Sequence, residues 1–519
     1  MSRDEEEATI ADNEHHFALR SLDELSEPID PRIRPSDRPD DEELDEGYAR
    51  QLNDYIHHRE HHHEIEYDLE KKPDETLYVE FDKGDKRDPV YFSKARKWAI
   101  TLSASFFTLI VASSSAAYPL GAPSMTRDLN ATQFQATIGL SLYALGFGVT
   151  PLVTASFSEE FGRQPLYLYS GIGCLLMHVM IALAKNIQTV LIGRFLAGAF
   201  GSTGSTMVGG TVADIWMSHE RGVPMALFSV AALGGVGVGC VAGGWIEQNS
   251  HLGWRWIQWI HVILLGAFVA KKLRKDTGNH HYRARVEDER ASLRTLIYIS
   301  CTRPIYLLLT EPLVASFSLW VGFAWGILYA LIESVAPAFK TLHGFNTGET
   351  GTIFVTVIIS CAFGLLGNHV QEIFYRKYVA TKGPEARLFS ACFVAVLLPA
   401  GMFIYAWSTF SKVPWIAMAI GIVVIVTSLF ILYVAVFTYL ADCYGPFASS
   451  ALAGQSLSRN LMGMAFPLFT EQMYAALTYH WGNSLFGFIA VLMIPIPYIL
   501  MWKGPAVRAR SKFASQVMK

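Results

Sequence analysis

Between residues 98 and 502 the chain alternates long apolar runs with short polar connections, and few folds can accommodate that pattern. Twelve runs can be drawn, with cores at 98–118, 134–154, 165–184, 189–212, 225–246, 256–270, 312–336, 350–367, 388–407, 415–437, 452–474 and 481–502. All but the sixth reach the roughly 17 to 25 residues that a helix needs to cross a bilayer. Spans two and three are joined by only Ser158-Glu159-Glu160-Phe161-Gly162-Arg163-Gln164-Pro165, so they form an antiparallel pair with a charged loop at the membrane surface. Hydrocarbon offers no partner to a bare peptide group, which leaves helices as the spanning element. The expected fold is an all-α membrane protein.

Composition agrees. The 519 residues are 51% hydrophobic and 13% aromatic, and no soluble catalytic constellation or Walker-type phosphate loop is present, so neither an enzyme nor an ATP-driven machine is indicated. The net charge of −4 is unevenly spread: residues 1–92 hold 29 Asp/Glu and 12 Lys/Arg, a net of −17, leaving +13 on the rest. That first segment lacks an apolar period and reads as a disordered acidic tail. Its tract His57, His58, His61, His62 and His63, interleaved with Glu60 and Glu64, is most simply a solvated polar stretch. The six cysteines sit in or beside apolar runs without metal-ligand spacing, so neither a disulfide framework nor a metal or other cofactor is expected.

The basic residues set the orientation, because cytoplasmic loops accumulate Lys and Arg. With both termini in the cytoplasm, Arg163, Arg221, the 271–303 loop, Arg376, Arg387 and the C-terminal tail fall inside, and only Arg127, Lys185, Arg255, Lys340 and Lys412 fall outside. The division is then a tail at 1–92, a six-span half at 93–270, a cytoplasmic linker at 271–303 and a second six-span half with a short basic tail at 304–519.

Several residues stand out within the spans. Arg194 lies in span four, where a guanidinium demands a partner or a wet cavity, and Asp214 ends the same helix. Arg459 lies roughly 13 Å deep in span eleven at 1.5 Å per residue. Span seven contains Trp320, Trp325, Tyr329 and Glu333, of which the last three share one helical face; a carboxylate beside aromatic rings suits an organic cation. Span five holds Gly234, Gly235, Gly237, Gly239, Gly243 and Gly244, a close-packing surface. Glu471 sits near the outer end of span eleven. His178 and His261 could titrate near neutral pH, although a packed, neutral imidazole is the simpler reading of each.

These motifs resemble the major facilitator superfamily, and within it the fungal twelve-span drug and polyamine proton antiporters. Glu159, Gly162 and Arg163 match the loop G-x-L-a-D-r-x-G-r-k, with Ala155 for the leading Gly, Glu159 for Asp and Gln164 for a basic residue. Arg194 and Gly198 match R-x-x-x-G. Gly235-x-x-x-Gly239-Cys240-x-x-Gly243-Gly244 is similar to G-x-x-x-G-P-x-x-G-G, with Cys240 where a helix-kinking Pro is usual. Thr310-Glu311-Pro312, Tyr329-x-x-x-Glu333 and the stretch from Ala448 through Phe469 add to the likeness. The resemblance implies two six-helix halves about a central cavity. It implies coupling through Arg194, Glu159, Arg163, Asp214 and Arg459, with Arg163 meeting Asp214, and substrate contact by Trp325, Tyr329 and Glu333. The implied activity is proton-coupled export of a small organic, cationic or amphiphilic compound by a monomer at the plasma membrane of a fungus. A vacuolar location, a facilitator or importer without proton coupling, and a receptor that binds without transport are the alternatives. No nucleic-acid partner is implied.

The sixth span departs from this pattern. Only fifteen residues, 256–270, separate Arg255 from Lys271, and as a helix they rise roughly 22 Å against a hydrocarbon core of about 30 Å. Relative to the family, a gap of about twenty residues is expected here.

Overall fold

Each apolar run becomes a helix, and the helices pack in two sets with the same internal plan. A computed structural model of the protein describes residues 89–160, 163–216, 220, 222–273, 293–511 and 513–517. The acidic tail up to residue 88, its histidine tract and linker residues 274–292 lie outside the described residues. The spanning helices are α1 (Lys94–Ala117), α2 (Gln133–Glu160), α3 (Arg163–Ala182), α4 (Ile187–Ile215), α5 (Gly222–Gln248) and α6 (Gly253–Leu273). The second set is α7 (Pro312–His343), α8 (Val355–Lys382), α9 (Leu388–Ser408) and α10 (Trp415–Tyr444), followed by a helical run Ala448–Met493 broken at Thr478. Thr478 has φ 68° and ψ 165°, outside any helical region, so the chain reverses there without a loop. We call the arm before it α11 (448–477) and the arm after it, with Pro495–Arg510, α12.

Helix ends are set by local chemistry. The Asn186 side chain accepts the Thr189 N–H at 2.8 Å to open α4. Asn346 and Glu349 form a reciprocal capping box, at 2.8 and 2.9 Å, before the short helix Thr347–Ile353 that leads into α8. Gly344, at φ 70°, takes the left-handed position that stops α7.

Within the first set α1 packs on α5, α2 on α4 and α3 on α6; within the second, α7 packs on α11, α8 on α10 and α9 on α12. This correspondence is an internal repeat. The halves meet along α5 against α8 and its leading helix, α2 against α11, and α1 against α7. Large apolar side chains point outward around the bundle, among them Leu492, Leu309 and Trp502, the last 83% exposed. A bilayer, not water, is the medium that such a surface fits.

Among the described residues, nine helical stretches are long and apolar enough to cross a membrane, and the last of them, Ser450–Arg510, holds both α11 and α12. The helices α4 and α6 are not among them. Arg194 and many small residues dilute α4. The α6 helix has 21 residues, against 20 in α3 and 21 in α9, because it draws in Gly253, Trp254 and Arg255 at one end and 271–273 at the other. Its rise is thus about 31 Å, enough to cross. The apolar stretch within it is nonetheless the short one that the sequence shows.

Candidate functional site

Close approach of helices creates the polar centre of the first half. Gly198 on α4 lies against the Tyr143 carbonyl of α2, and Gly146 on α2 against the Phe195 carbonyl of α4, leaving no room for a Cβ at either place. This contact buries Arg194 completely. Its guanidinium carbon lies 4.3 Å from the Tyr118 ring centre and 4.2 Å from that of Tyr143. Arg194 Nε donates to the Gly139 carbonyl at 3.4 Å and Nη1 to the Ser114 carbonyl at 3.2 Å, while Nη2 has no partner among the described residues. A carboxylate would be the usual companion of so buried a cation; carbonyl dipoles and ring faces take that place here.

Three consecutive serines on α1 extend this centre in three directions. Ser113 Oγ lies 2.9 Å from His261 Nε2 on α6, Ser114 Oγ 3.1 Å from His178 Nε2 on α3, and Ser115 Oγ 3.3 Å from the Tyr329 hydroxyl on α7. The imidazoles stack, 5.3 Å between centres with planes 17° apart. His178 Nδ1 meets Gln258 Oε1 at 2.8 Å, and His261 Nδ1 donates to the Ile257 carbonyl at 2.6 Å. Sequence reading treated each histidine alone; the fold brings them into one network with the serines.

The second half supplies an aromatic wall and another cation. Arg459 is 8% exposed, with its guanidinium 4.6 Å from the Trp325 ring centre and 5.1 Å from that of Tyr433. Its Nη2 donates to Ser456 Oγ at 3.2 Å, and its Nε lacks a partner among the described residues. Tyr329, one turn after Trp325, packs over Gly463. Glu333, a further turn along, is half-buried, and Glu471 is exposed. Trp320 instead stacks on Phe317, at 6.4 Å, and is buried away from this wall.

On the face where α3 and α9 begin, the basic face, Arg163 Nε lies 2.7 Å from the Asp214 carboxylate, and Arg163 Nη1 donates to the Met207 carbonyl at 3.2 Å. Both residues belong to the first half. The Glu159 side chain lies outside the described residues, although its backbone ends α2. The second half repeats the device: Arg387, just before α9, contacts Asp442 near the end of α10 at 2.6 Å and Glu372 at 3.6 Å. Nearby, Arg508 makes a two-pronged bond to Glu385, both distances 2.9 Å. Sequence reading passed over Arg387, Asp442, Glu385 and Arg508. Aligning the loop between spans eight and nine with the loop between spans two and three would have exposed Arg387, and aligning the end of span ten with that of span four would have exposed Asp442.

The signature glycines divide between two partners. Gly235, Gly239 and Gly243 lie against Leu109, Ser113 and Ala117 of α1, and Gly244 lies against Gly351 and Thr347 of the other half. The Cys240 thiol points to the Ala116 carbonyl at 3.4 Å, and α5 runs unbroken through it. Gly239→Ala is expected to lower stability by about 1–3 kcal/mol through overpacking, because the new methyl meets the backbone of Ser113. A thermal melt in detergent checks this, and an unchanged midpoint would mean that α1 and α5 can part freely.

At the opposite, far face, Glu247 accepts from Ser124 N at 2.9 Å and from its hydroxyl at 2.7 Å. Trp254 Nε1 donates to Asp128 at 3.0 Å, and Arg255 Nη1 donates to the Ala182 and Ala184 carbonyls at 2.8 and 2.9 Å. Among the described residues, two bonds cross between halves here: Trp245 Nε1 to Thr352 Oγ1 at 3.0 Å, and Thr347 N to Gln248 Oε1 at 3.2 Å.

Known proteins resemble this chain in sequence and in fold. A family model described as Major Facilitator Superfamily matches residues 102–467. The multidrug transporter mdrA of Aspergillus fumigatus is 31% identical over 471 residues, covering 86% of this chain and 77% of the relative. The efflux pump radE of Floropilus chiversii is 31% identical over 455 residues, 83% of this chain and 84% of the relative. Among solved structures, a D-xylose-proton symporter superposes with a TM-score of 0.58 at 16% identity, covering 78% of this chain and 97% of that one, a likeness of fold alone. The family match, the identity with fungal relatives and the two six-helix halves together place the chain in the Major Facilitator Superfamily, as a multi-pass membrane transporter of that type.

Proposed function

We propose that the chain exports small amphiphilic organic compounds in exchange for protons, with its basic face in the cytoplasm and the plasma membrane as its site. The carrying observation is the contact chain from Arg194 through Ser114 and Ser115 to Tyr329, one turn from Glu333. It ties a buried cation of one half to the Tyr329 hydroxyl of the other, on the helix face that carries Glu333 one turn further along. The distribution of Lys and Arg supports the orientation, and the names of the relatives, a multidrug transporter and efflux pumps, support the direction. A polycation such as spermidine suits the centre poorly, since the guanidinium groups of Arg194 and Arg459 are both buried there and neither has a carboxylate within ion-pair distance among the described residues.

The test is uptake of a panel of labelled drugs, and of spermidine, into inside-out vesicles with an imposed proton gradient. Gradient-driven drug uptake with matching proton release is expected. Uptake indifferent to the gradient would remove the coupling.

Arg163 and Asp214 tie α3 to α4 within one half, and their role in this reading is to keep that half rigid while it rocks. Asp214→Asn is then expected to slow turnover about three- to tenfold with substrate affinity nearly unchanged, as loss of an exposed to half-buried ion pair suggests. Concentration-dependent initial rates check this. An altered affinity at wild-type turnover would sink it.

A further inference from the structure

Both halves bring unsatisfied N–H donors to the same seam. On α4 and α11, the buried donor-only atoms with no partner among the described residues are Arg194 Nη2, Gln455 Nε2 and Arg459 Nε, on side chains that are 0%, 3% and 8% exposed. The Tyr118 hydroxyl, beside the Arg194 guanidinium, is likewise unpartnered. Gln455 and Arg459 are one turn apart on α11 and share a face. Asn460, next to Arg459, lies against Gly148 of the first half, which sets this part of α11 at the seam. Tyr329 and Trp325 join the two arginines: Ser115, adjacent to the Arg194 acceptor Ser114, touches Tyr329, and Trp325 lies under Arg459.

We propose that this seam binds an organic anion, its acidic group satisfied by the donors of Arg194, Gln455 and Arg459 and its planar body lying along Trp325, Tyr329 and Tyr433. Charge decides between an anion and other occupants. Water can complete an N–H bond, but it leaves two buried guanidinium charges with no carboxylate within ion-pair distance of either among the described residues, and an uncompensated buried charge costs more than a missing hydrogen bond. A carboxylate, sulfonate or enolate does both at once, and it matches the fork geometry of arginine. A cation at the same place would add a third positive charge. The Trp325 and Tyr433 rings, 5.6 Å apart between centres and tilted by 42°, flank Arg459 and give the organic body an aromatic wall. The inference rests on the transport reading above, and it specifies the substrate class without depending on proton coupling.

The test uses three probes of one shape: benzenesulfonate, benzyl alcohol and benzyltrimethylammonium, whose charges do not change with pH. Labelled probes are equilibrated by dialysis against the full-length protein in lipid nanodiscs. Benzenesulfonate is expected to bind at least about tenfold tighter than the other two, and Arg459→Gln to weaken it about tenfold or more, with Arg459→Lys recovering part of the loss. Gln455→Leu is expected to cost about two- to fivefold. Should Arg459→Gln fail to fold, the ranking of the probes on the wild-type protein and the Gln455→Leu variant still decide. Equal or tighter binding of the cation, or full benzenesulfonate affinity in Arg459→Gln, would overturn the proposal. Flux assays separate this outcome from the coupling: gradient-independent benzenesulfonate flux keeps the anion site and removes proton exchange, whereas gradient-driven flux of the cation alone does the reverse.

Discussion

Arg194→Lys is expected to lower proton-coupled turnover by about two orders of magnitude at normal abundance, because a point charge cannot reproduce the fork. The guanidinium bonds the Gly139 carbonyl of α2 and the Ser114 carbonyl of α1 at once, while its flat faces fill the gap between Tyr118 and Tyr143. An ammonium on a flexible stem holds one carbonyl or the other, and it loses the stacking. Charge and burial are retained, so what changes is the linkage between α1 and α2 that leads through Ser115 to Tyr329. Substrate-induced proton movement in vesicles, normalised to the amount of protein at the membrane, is the measurement. Undiminished proton flux would return Arg194 to the role of a tie between helices.

Glu385→Gln is expected to be the most destabilising single change on the basic face, at about 3–5 kcal/mol, because it strands a buried guanidinium. The side chains of Arg508 and Glu385 are only 10% and 3% exposed, so solvent does little to screen the loss. The Tyr439 hydroxyl also donates to Glu385, at 3.4 Å, and the carboxylate packs against Gly504, so α12, α10 and the turn before α9 converge on this one acid. Protein yield and the thermal midpoint should both fall sharply. The double variant Glu385→Leu with Arg508→Met should recover most of the loss, since replacing both members of a buried pair by apolar groups is commonly near neutral. A single variant that melts like wild type would show that the pair is not a strut.

Much of this architecture could be read in advance, because apolar length and loop charge are local properties. The helices form where the runs lie, and Arg163 meets Asp214 because both were bound to the same end of a short antiparallel set. The aromatic face of span seven was legible from its four-residue spacing, which also explains why Trp320, off that period, faces elsewhere. Contacts between distant helices were not legible. His178 and His261 are 83 positions apart in the chain, and nothing in either run marks the other as a neighbour. The serine triplet was hidden for the opposite reason: serines in a span are common, and their value lies in pointing three ways around a helix of 3.6 residues per turn. Arg387 and Asp442 were in plain sight as basic and acidic residues near span ends, but only the internal repeat gives them meaning. The short apolar stretch of α6 was legible as well, although the helix itself runs past the charged residues at either end of it.

The far-face closure has a consequence for how the transporter is populated at rest. It combines packing of Gly237 on Phe354, of Gly244 on Gly351 and of Trp245 on Gly348 with two neutral hydrogen bonds between halves among the described residues, Trp245 to Thr352 and Thr347 to Gln248. At about 1 kcal/mol each, those two bonds contribute about a thirtyfold bias toward the closed arrangement, to which the packing adds. A ligand can shift that balance only by its differential affinity for the two arrangements, so a gate built of neutral contacts is one that binding, not a change of charge at the gate, would have to open.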